Sequence, residues 1–296
     1  MSTRFALSIA LALGVAAPAG VSAQTAAPEG AEEAQTIRCA VIGGLMETGF
    51  WPELAGRFEA ATGHRVVVVA KGNKQEICRA FTEGEADLIS MHASDMIINF
   101  VADGYGVDPQ PWARNDLVFV GPAADPAGVR GMTDAGEALR KIVATGSTLL
   151  IQRSLGAQQV LGNLASSARV DLDWKHVVAF LGDPDRQMLV RAAQQNAYVL
   201  VGRVPFRNGK IPNPGLELMV EGDPRLRRPY LVVVAAPGRQ ADPRRGAAAA
   251  QLARYLRLPD TQEWIATYGK GLLDEGPLFF PVTVPGTPPH EGIAPR

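Results

Sequence analysis

The chain has 296 residues, 47% of them hydrophobic, with 29 Lys plus Arg against 30 Asp plus Glu and a formal charge of -1. This balance gives no broad positive field for a polyanion, so nucleic acid is not an expected partner, although a local basic pocket stays open. Length and apolar content allow a substantial core, in one large domain or in two lobes.

The chain begins "MSTRFALSIALALGVAAPAGVSA", with Arg4, an apolar run and small residues ending at Ala23. That is the pattern of a cleaved secretory signal over residues 1–23, and the run is shorter than the roughly 20 apolar residues needed to span a bilayer. No cysteine follows the cut, so a free periplasmic protein is expected rather than a lipid-anchored one. Residues 24–35 are small and polar and read as a flexible lead, with packing starting near Ile37.

"IRCAVIGG" then reads as a buried strand ending in a bend at Gly43 and Gly44. Trp51, Leu54, Ala55 and Phe58 fall on one helical face, with Pro52 tolerable in the first turn. "HRVVVVA" predicts a strand, "NKQEICRAFTEG" a helix, "ADLISMH" a strand, and "NDLVFVGP" a strand leading into a turn. "DAGEALRKIVA" predicts a helix, "STLLIQRSLGAQQVLGNLA" a strand and helix, "MLVRAAQQN" a helix and "AYVLVG" a strand. "PYLVVVAAP" is a further strand, "RRGAAAAQLARYLR" and "TQEWIATYG" are helices, and the Pro-rich tail from Pro285 is irregular. Alternation of this kind predicts a parallel α/β architecture with both sheet faces covered.

Chemical motifs are sparse. Gly44 and Gly49 begin a Walker-like spacing, but Phe50 stands where lysine is required, and no GxSxG elbow is present. His64, His92, His176 and His290 form no metal-binding pattern, so neither a metal, a cofactor nor an enzyme activity is expected. Cys39 and Cys78 have three open outcomes in an exported chain: a disulfide, two reduced core thiols, or soft ligands.

The strings "FWPELAGRFEAATGHRVVVVAKGNKQE", "GEADLISMHAS", "FVADGYGV", "NDLVFVGPAADPAGVRG", "LELMVEGDPRLRRPYLVVVAAP" and "GPLFFP" occur in an order that resembles the tungstate-binding family of periplasmic solute-binding proteins. These blocks extend over almost all of the mature chain. The resemblance implies a bilobal type II periplasmic binding fold with two crossovers, one lobe from residues 36–123 and 226–296 and the other from 124–225. It implies capture of a small anion, tungstate or molybdate, for an ABC permease in the inner membrane, by a monomer. The alternatives are import of a different small organic anion, and a periplasmic solute sensor.

A desolvated anion needs several oriented donors, and strand-to-helix turns supply them through unpaired N–H groups. The candidate ligand-binding residues lie at such turns: Gly43, Gly44 and Thr48 after the first strand and, where the resemblance implies an anion-facing turn, Lys71, Asn73 and Lys74 after the second. The resemblance adds His92 and Ser94 after the third, Arg153 and Ser154 in "IQRSLG", and Arg203 in "YVLVGRVPF". Each also has an ordinary use, in a tight turn, a helix cap, an ion pair or solvated charge. The chain departs from the family where threonines and a serine open the first turn, having "IGGLMETG" instead. Hydroxyl donors are thus depleted, which is what favours the organic-anion alternative.

Overall fold

A computed structural model describes residues 33–172, 175–179, 184–240 and 242–283. The signal segment 1–23, most of the lead 24–35 and the tail from Pro285 lie outside the described residues.

The elements run β1 (Thr36–Ile42), α1 (Gly43–Glu47), α2 (Phe50–Thr62), β2 (Arg65–Gly72), α3 (Lys74–Thr82), β3 (Leu88–His92), α4 (Asp95–Ala102) and β4 (Gly106–Pro122). They continue with α5 (Ala135–Ala144), β5 (Leu149–Ile151), α6 (Leu155–Ala168), β6 (Val177–Ala179), α7 (Pro184–Gln194), β7 (Tyr198–Gly202), α8 (Arg203–Arg207) and β8 (Leu216–Val220). A 3-10 turn at Pro224–Leu226 leads to β9 (Arg227–Ala235), α9 (Pro243–Tyr255) and α10 (Pro259–Ile265). None of the described helices is long and apolar enough to cross a membrane.

The strands follow the order β2-β1-β3-β9-β4-β7-β5-β6, with β8 also on β4. The parallel expectation holds only for part of the sheet. β1 pairs in parallel with β2 and β3, and β5 with β6 and β7, but β3–β9, β4–β9, β4–β7 and β4–β8 are antiparallel. The physical reason is β4, whose Gly106–Asp116 part pairs with β9 and whose later part pairs with β7 and β8. It starts well before the predicted Asn115, through Pro109 and Pro111. Proline removes a ladder donor, and the strand absorbs both by shifting register at Val107/Gln110 and Pro111/Ala113.

Each half of the sheet has apolar clusters on its two faces. Around β1 they centre on Phe50, Trp51, Leu54 and Phe58 on one side and on Ile77, Phe81 and Phe100 on the other. Around β7 they centre on Leu139, Leu161 and Leu200, and on Leu189, Val199 and Ile211. The α2 periodicity explains its seat: Phe50, Trp51, Leu54 and Phe58 are at most 1% exposed, each contributing about 1.5–3 kcal/mol on burial. Gly49 at φ 74° starts this helix and Gly63 at φ 76° ends it, a conformation that favours glycine. Phe50 then stacks on Phe279 at 4.1 Å and on Trp264 at 5.2 Å, pinning the C-terminal segment beside the first strand-to-helix turn.

The cysteine alternatives resolve in the same core. Cys39 and Cys78 are both free and buried, and they belong to clusters on opposite faces of the sheet. Of the three outcomes, the structure has two reduced core thiols on opposite faces of the sheet, and Cys78 Sγ contacts Met91 Sδ at 3.8 Å.

Candidate functional site

A cleft of about 400 Å³ lies where β1, β3, β5 and β7 end and their helices begin. The C-terminal ends of sheet strands are where ligands bind in open α/β folds. Its helix starts lack side-chain caps, as do those of α2, α4 and α10. Asn73, Asp134 and Asp242 cap α3, α5 and α9 with side-chain oxygens, but α1, α6 and α8 have no side-chain cap. The first N–H groups of α6 have no partner within the helix, so its N-terminus keeps donors and a positive dipole end at the cleft.

Arg228 stands against that helix start. β9 carries Arg227 and Arg228 in succession, and period-two alternation sends them to opposite faces. Arg227 lies over the Phe280 ring at 4.0 Å, whereas Arg228 lines the cleft. Its guanidinium packs so closely on α6 that a Cβ at Gly156 would be 2.0 Å from Nη2. No carboxylate pairs with Arg228 among the described residues; burial lowers its pKa from the usual arginine value, with Tyr230 opposing. Arginine remains charged under that pressure, so the cleft holds an unneutralised cation in a fork geometry suited to carboxylate or oxyanion oxygens.

Three neighbours complete this end. Asn115 is the cross-strand partner of Arg228, and His92 is the partner of Tyr230. The His92 ring stacks on Tyr230 at 4.2 Å. Burial holds its pKa well below the ordinary histidine value, Arg228 and Lys74 push the same way, and Asn115 opposes. His92 is consequently neutral at pH 7 and supplies no second charge.

The sequence-predicted residues divide in space. Gly44, Thr48, His92 and Ser154 line the cleft. Gly43 packs instead on β2, where an added Cβ would be 3.3 Å from the Gly72 oxygen. Thr48 spends its hydroxyl on the Gly44 oxygen at 3.0 Å. Lys71 and Asn73 are exposed and outside the lining, with Asn73 accepting from the Glu76 N–H as a cap. Lys74 is also outside it, but near enough to Arg228 that burial and this neighbour lower its pKa. Ser94 starts α4 without capping it, and its buried hydroxyl has no partner. Arg153 is exposed and outside the lining, although Gln152 and Ser154 on either side belong to it.

Arg203 has a different job from the one expected. It is 3% exposed; its Nε bonds Asp116 at 2.9 Å, Nη1 bonds Asp274 at 2.7 Å, and Nη2 donates to the Pro277 oxygen. All faces of the guanidinium are committed to protein acceptors, so nothing is left for a ligand. At the mouth, Lys210 pairs with Glu47, bridging the α8 side to α1.

Arg228, Asn115 and Gly156 were not singled out from sequence. A usable signal was present: adjacent arginines opening an apolar strand must diverge to two faces, so one of them was bound for the ends of the parallel strands.

Comparison with known proteins fits this geometry. The family profile for bacterial extracellular solute-binding proteins matches residues 40–270. A Haloferax volcanii chain provisionally named an ABC transporter anion-binding protein is 30% identical over 282 residues, covering 90% of this chain and 80% of the relative. The tungstate-binding protein TupA of Peptoclostridium acidaminophilum is 28% identical over 263 residues, covering 86% and 90%. The solved tungstate-binding protein TupA from Desulfovibrio alaskensis superposes with a TM-score of 0.68 at 26% identity, over 85% of this chain and all of that one. The fold is therefore the mixed α/β type II periplasmic binding fold, and the relatives are binding proteins of ABC transporters, not enzymes. With 40–270 of its 296 residues matched, the chain belongs to the bacterial extracellular solute-binding protein family.

Proposed function

We propose that the mature chain captures a small anion in the cleft and delivers it to an inner-membrane ABC permease. The observation that carries this reading is the unpaired Arg228 guanidinium held against the uncapped start of α6. An anion there replaces its hydration with the arginine fork, the free α6 N–H groups and the Ser154 hydroxyl. No bond in the solute changes. Two anion classes suit such a fork: a metal oxyanion such as tungstate or molybdate, as relatives' names specify for them, and an organic carboxylate.

Residues 36–123 with 226–296 and residues 124–225 act as two lobes; β4 runs from one towards the other, pairing first with β9 and then with β7 and β8, and the chain returns just ahead of β9. Arg228, His92 and Tyr230 come from the first and Ser154 with α6 from the second, so ligand satisfies both together only when the cleft is closed. Binding then raises the closed population, and that surface is what the permease reads. Removal of the signal at 1–23 places the chain in the periplasm as a monomer.

Native mass spectrometry of the gently purified mature chain, followed by calorimetry with the retained solute, tests the reading. A stoichiometric anion whose affinity collapses in Arg228→Ala is expected. A retained cation or neutral solute, or unchanged affinity in that variant, rejects it.

A further inference from the structure

A second concentration of positive charge lies on the face of the sheet away from the cleft. Along β9 and β4 the side chains alternate: Arg228 and Tyr230, with the cross-strand Asn115, line the cleft, whereas Arg227 and Pro229, with the cross-strand Arg114, line a separate cavity of about 500 Å³. Arg225, on the turn that leads into β9, is the third arginine in its wall, and the described lining contains no Asp or Glu.

Two of the three cations are left without a counter-charge. Phe280 exchanges two backbone hydrogen bonds with Arg114, each 2.8 Å, which plants its ring beneath the Arg227 guanidinium at 4.0 Å. That seat fixes the guanidinium without neutralising it. Arg227 Nε is buried without an acceptor, and neither Arg114 nor Arg227 makes a side-chain hydrogen bond or ion pair among the described residues. Burial lowers the pKa of Arg227, with Asp116 opposing and Arg114 adding to the fall, so the two arginines stand within electrostatic reach of each other. Asp116 is already committed, because Arg203 Nε bonds both of its oxygens. Arg225, by contrast, is paired with Asp223 and Asp134.

Half-buried like charges with no carboxylate between them are unfavourable by themselves, and an anion with oxygens for both forks removes that cost. Pro111, Pro224 and Pro229 give the cavity rigid walls with no N–H, so recognition falls to the arginines and the Thr283 hydroxyl. We propose that this cavity is a second anion site, separate from the cleft, that takes a compact polyanion of phosphate or carboxylate groups between Arg114 and Arg227. Arg114 precedes the point at Leu117 where β4 leaves β9 for β7, and Arg225 lies where the chain returns. The bound anion therefore sits behind the cleft, at the passage between the two halves of the sheet.

The test is calorimetry at low ionic strength on the mature chain carrying Arg228→Ala, which removes the cleft's own arginine. Pyrophosphate and citrate are the polyanions, and acetate is the singly charged control. Expected are one-to-one binding of at least one polyanion, no saturation by acetate at the same concentrations, and weakening by added salt. Arg114→Gln and Arg227→Gln should each lower polyanion affinity by about tenfold or more through loss of a charge-assisted bond. Arg114→Gln leaves the Phe280 seat of Arg227 in place, so it serves should Arg227→Gln lower the melting temperature. Absence of binding by both polyanions, acetate binding as tightly as they do, or an affinity unchanged in either glutamine variant overturns the proposal. Each of these results leaves anion capture in the cleft standing, because Arg228 faces the other side of the sheet.

Discussion

Arg228 and Gly156 share one volume: the guanidinium of the first occupies the space a side chain on the second would need, with Nη2 2.0 Å from a Cβ built there. Glycine inside a helix ordinarily costs about 1 kcal/mol relative to alanine. Gly156→Ala should therefore hold or raise the melting temperature while displacing Arg228 and lowering anion affinity at least tenfold. Thermal melts and calorimetry on the same preparation separate the two effects, and retained affinity would remove Gly156 from the site.

Arg228 and Arg153 make opposite predictions despite being the same residue type. Arg228→Ala removes a charge-assisted bond worth about 1.5–3 kcal/mol, so affinity should fall by roughly 10- to 150-fold. Arg228→Lys should recover only part, because an ammonium loses the planar fork. Arg153→Ala should bind as the parent does, since its side chain is exposed and outside the lining. Calorimetric titration of the three variants decides between them.

The contrast shows what was legible in the sequence. Strand-to-helix turns were readable because apolar runs ending in glycine or a capping residue report local backbone chemistry, and β1, β3, β5 and β7 end where expected. Gly44 followed from those turns, and His92 and Ser154 from the family resemblance that falls on them. Strand direction was not readable: β4 and β9 are set by distant pairing, and the prolines of β4 argued against a strand locally. The arginines failed for the same reason. Whether Arg203 or Arg228 is free depends on Asp116 and Asp274, which are 87 and 71 residues from Arg203 and meet it only through the fold.

Arg203 is instead a structural cation. Removing one member of a buried ion pair leaves an uncompensated charge and costs about 3–5 kcal/mol. Arg203→Ala leaves the buried Asp116 without its ion-pair partner, whereas Asp274 keeps Arg207, so denaturant melts should show a loss of that order from the Asp116 pair. Anion affinity, measured well below the melting temperature, should stay within a few-fold of the parent. A stable variant with abolished binding would reverse the assignment.

The two thiols give a check on the core that needs no ligand. Burial raises the Cys39 and Cys78 pKa values, so neither forms a nucleophilic thiolate at neutral pH. A thiol reagent should find no reactive cysteine in the native protein and both after denaturation. Reductant should leave the melting temperature unchanged. A shift on reduction would restore the disulfide.

His92 sets the pH behaviour. Its folded pKa lies well below the ordinary value of about 6.5, so between the folded pKa and 6.5 the unfolded chain binds a proton that the native chain does not. Native stability is therefore lost as pH falls below about 6.5 and is fully present above it. His92→Gln, which keeps a polar side chain but cannot titrate, should flatten the melting-temperature profile across pH 5 to 7. Anion affinity should be flat from pH 6 to 8, because His92 stays neutral and Arg228 stays charged throughout. If His92 were protonated near pH 6, it would add a positive charge beside Arg228, and affinity would rise on acidification. Calorimetry at pH 6, 7 and 8 distinguishes the two, and an acid-strengthened affinity absent from His92→Gln would place a charged histidine in the site.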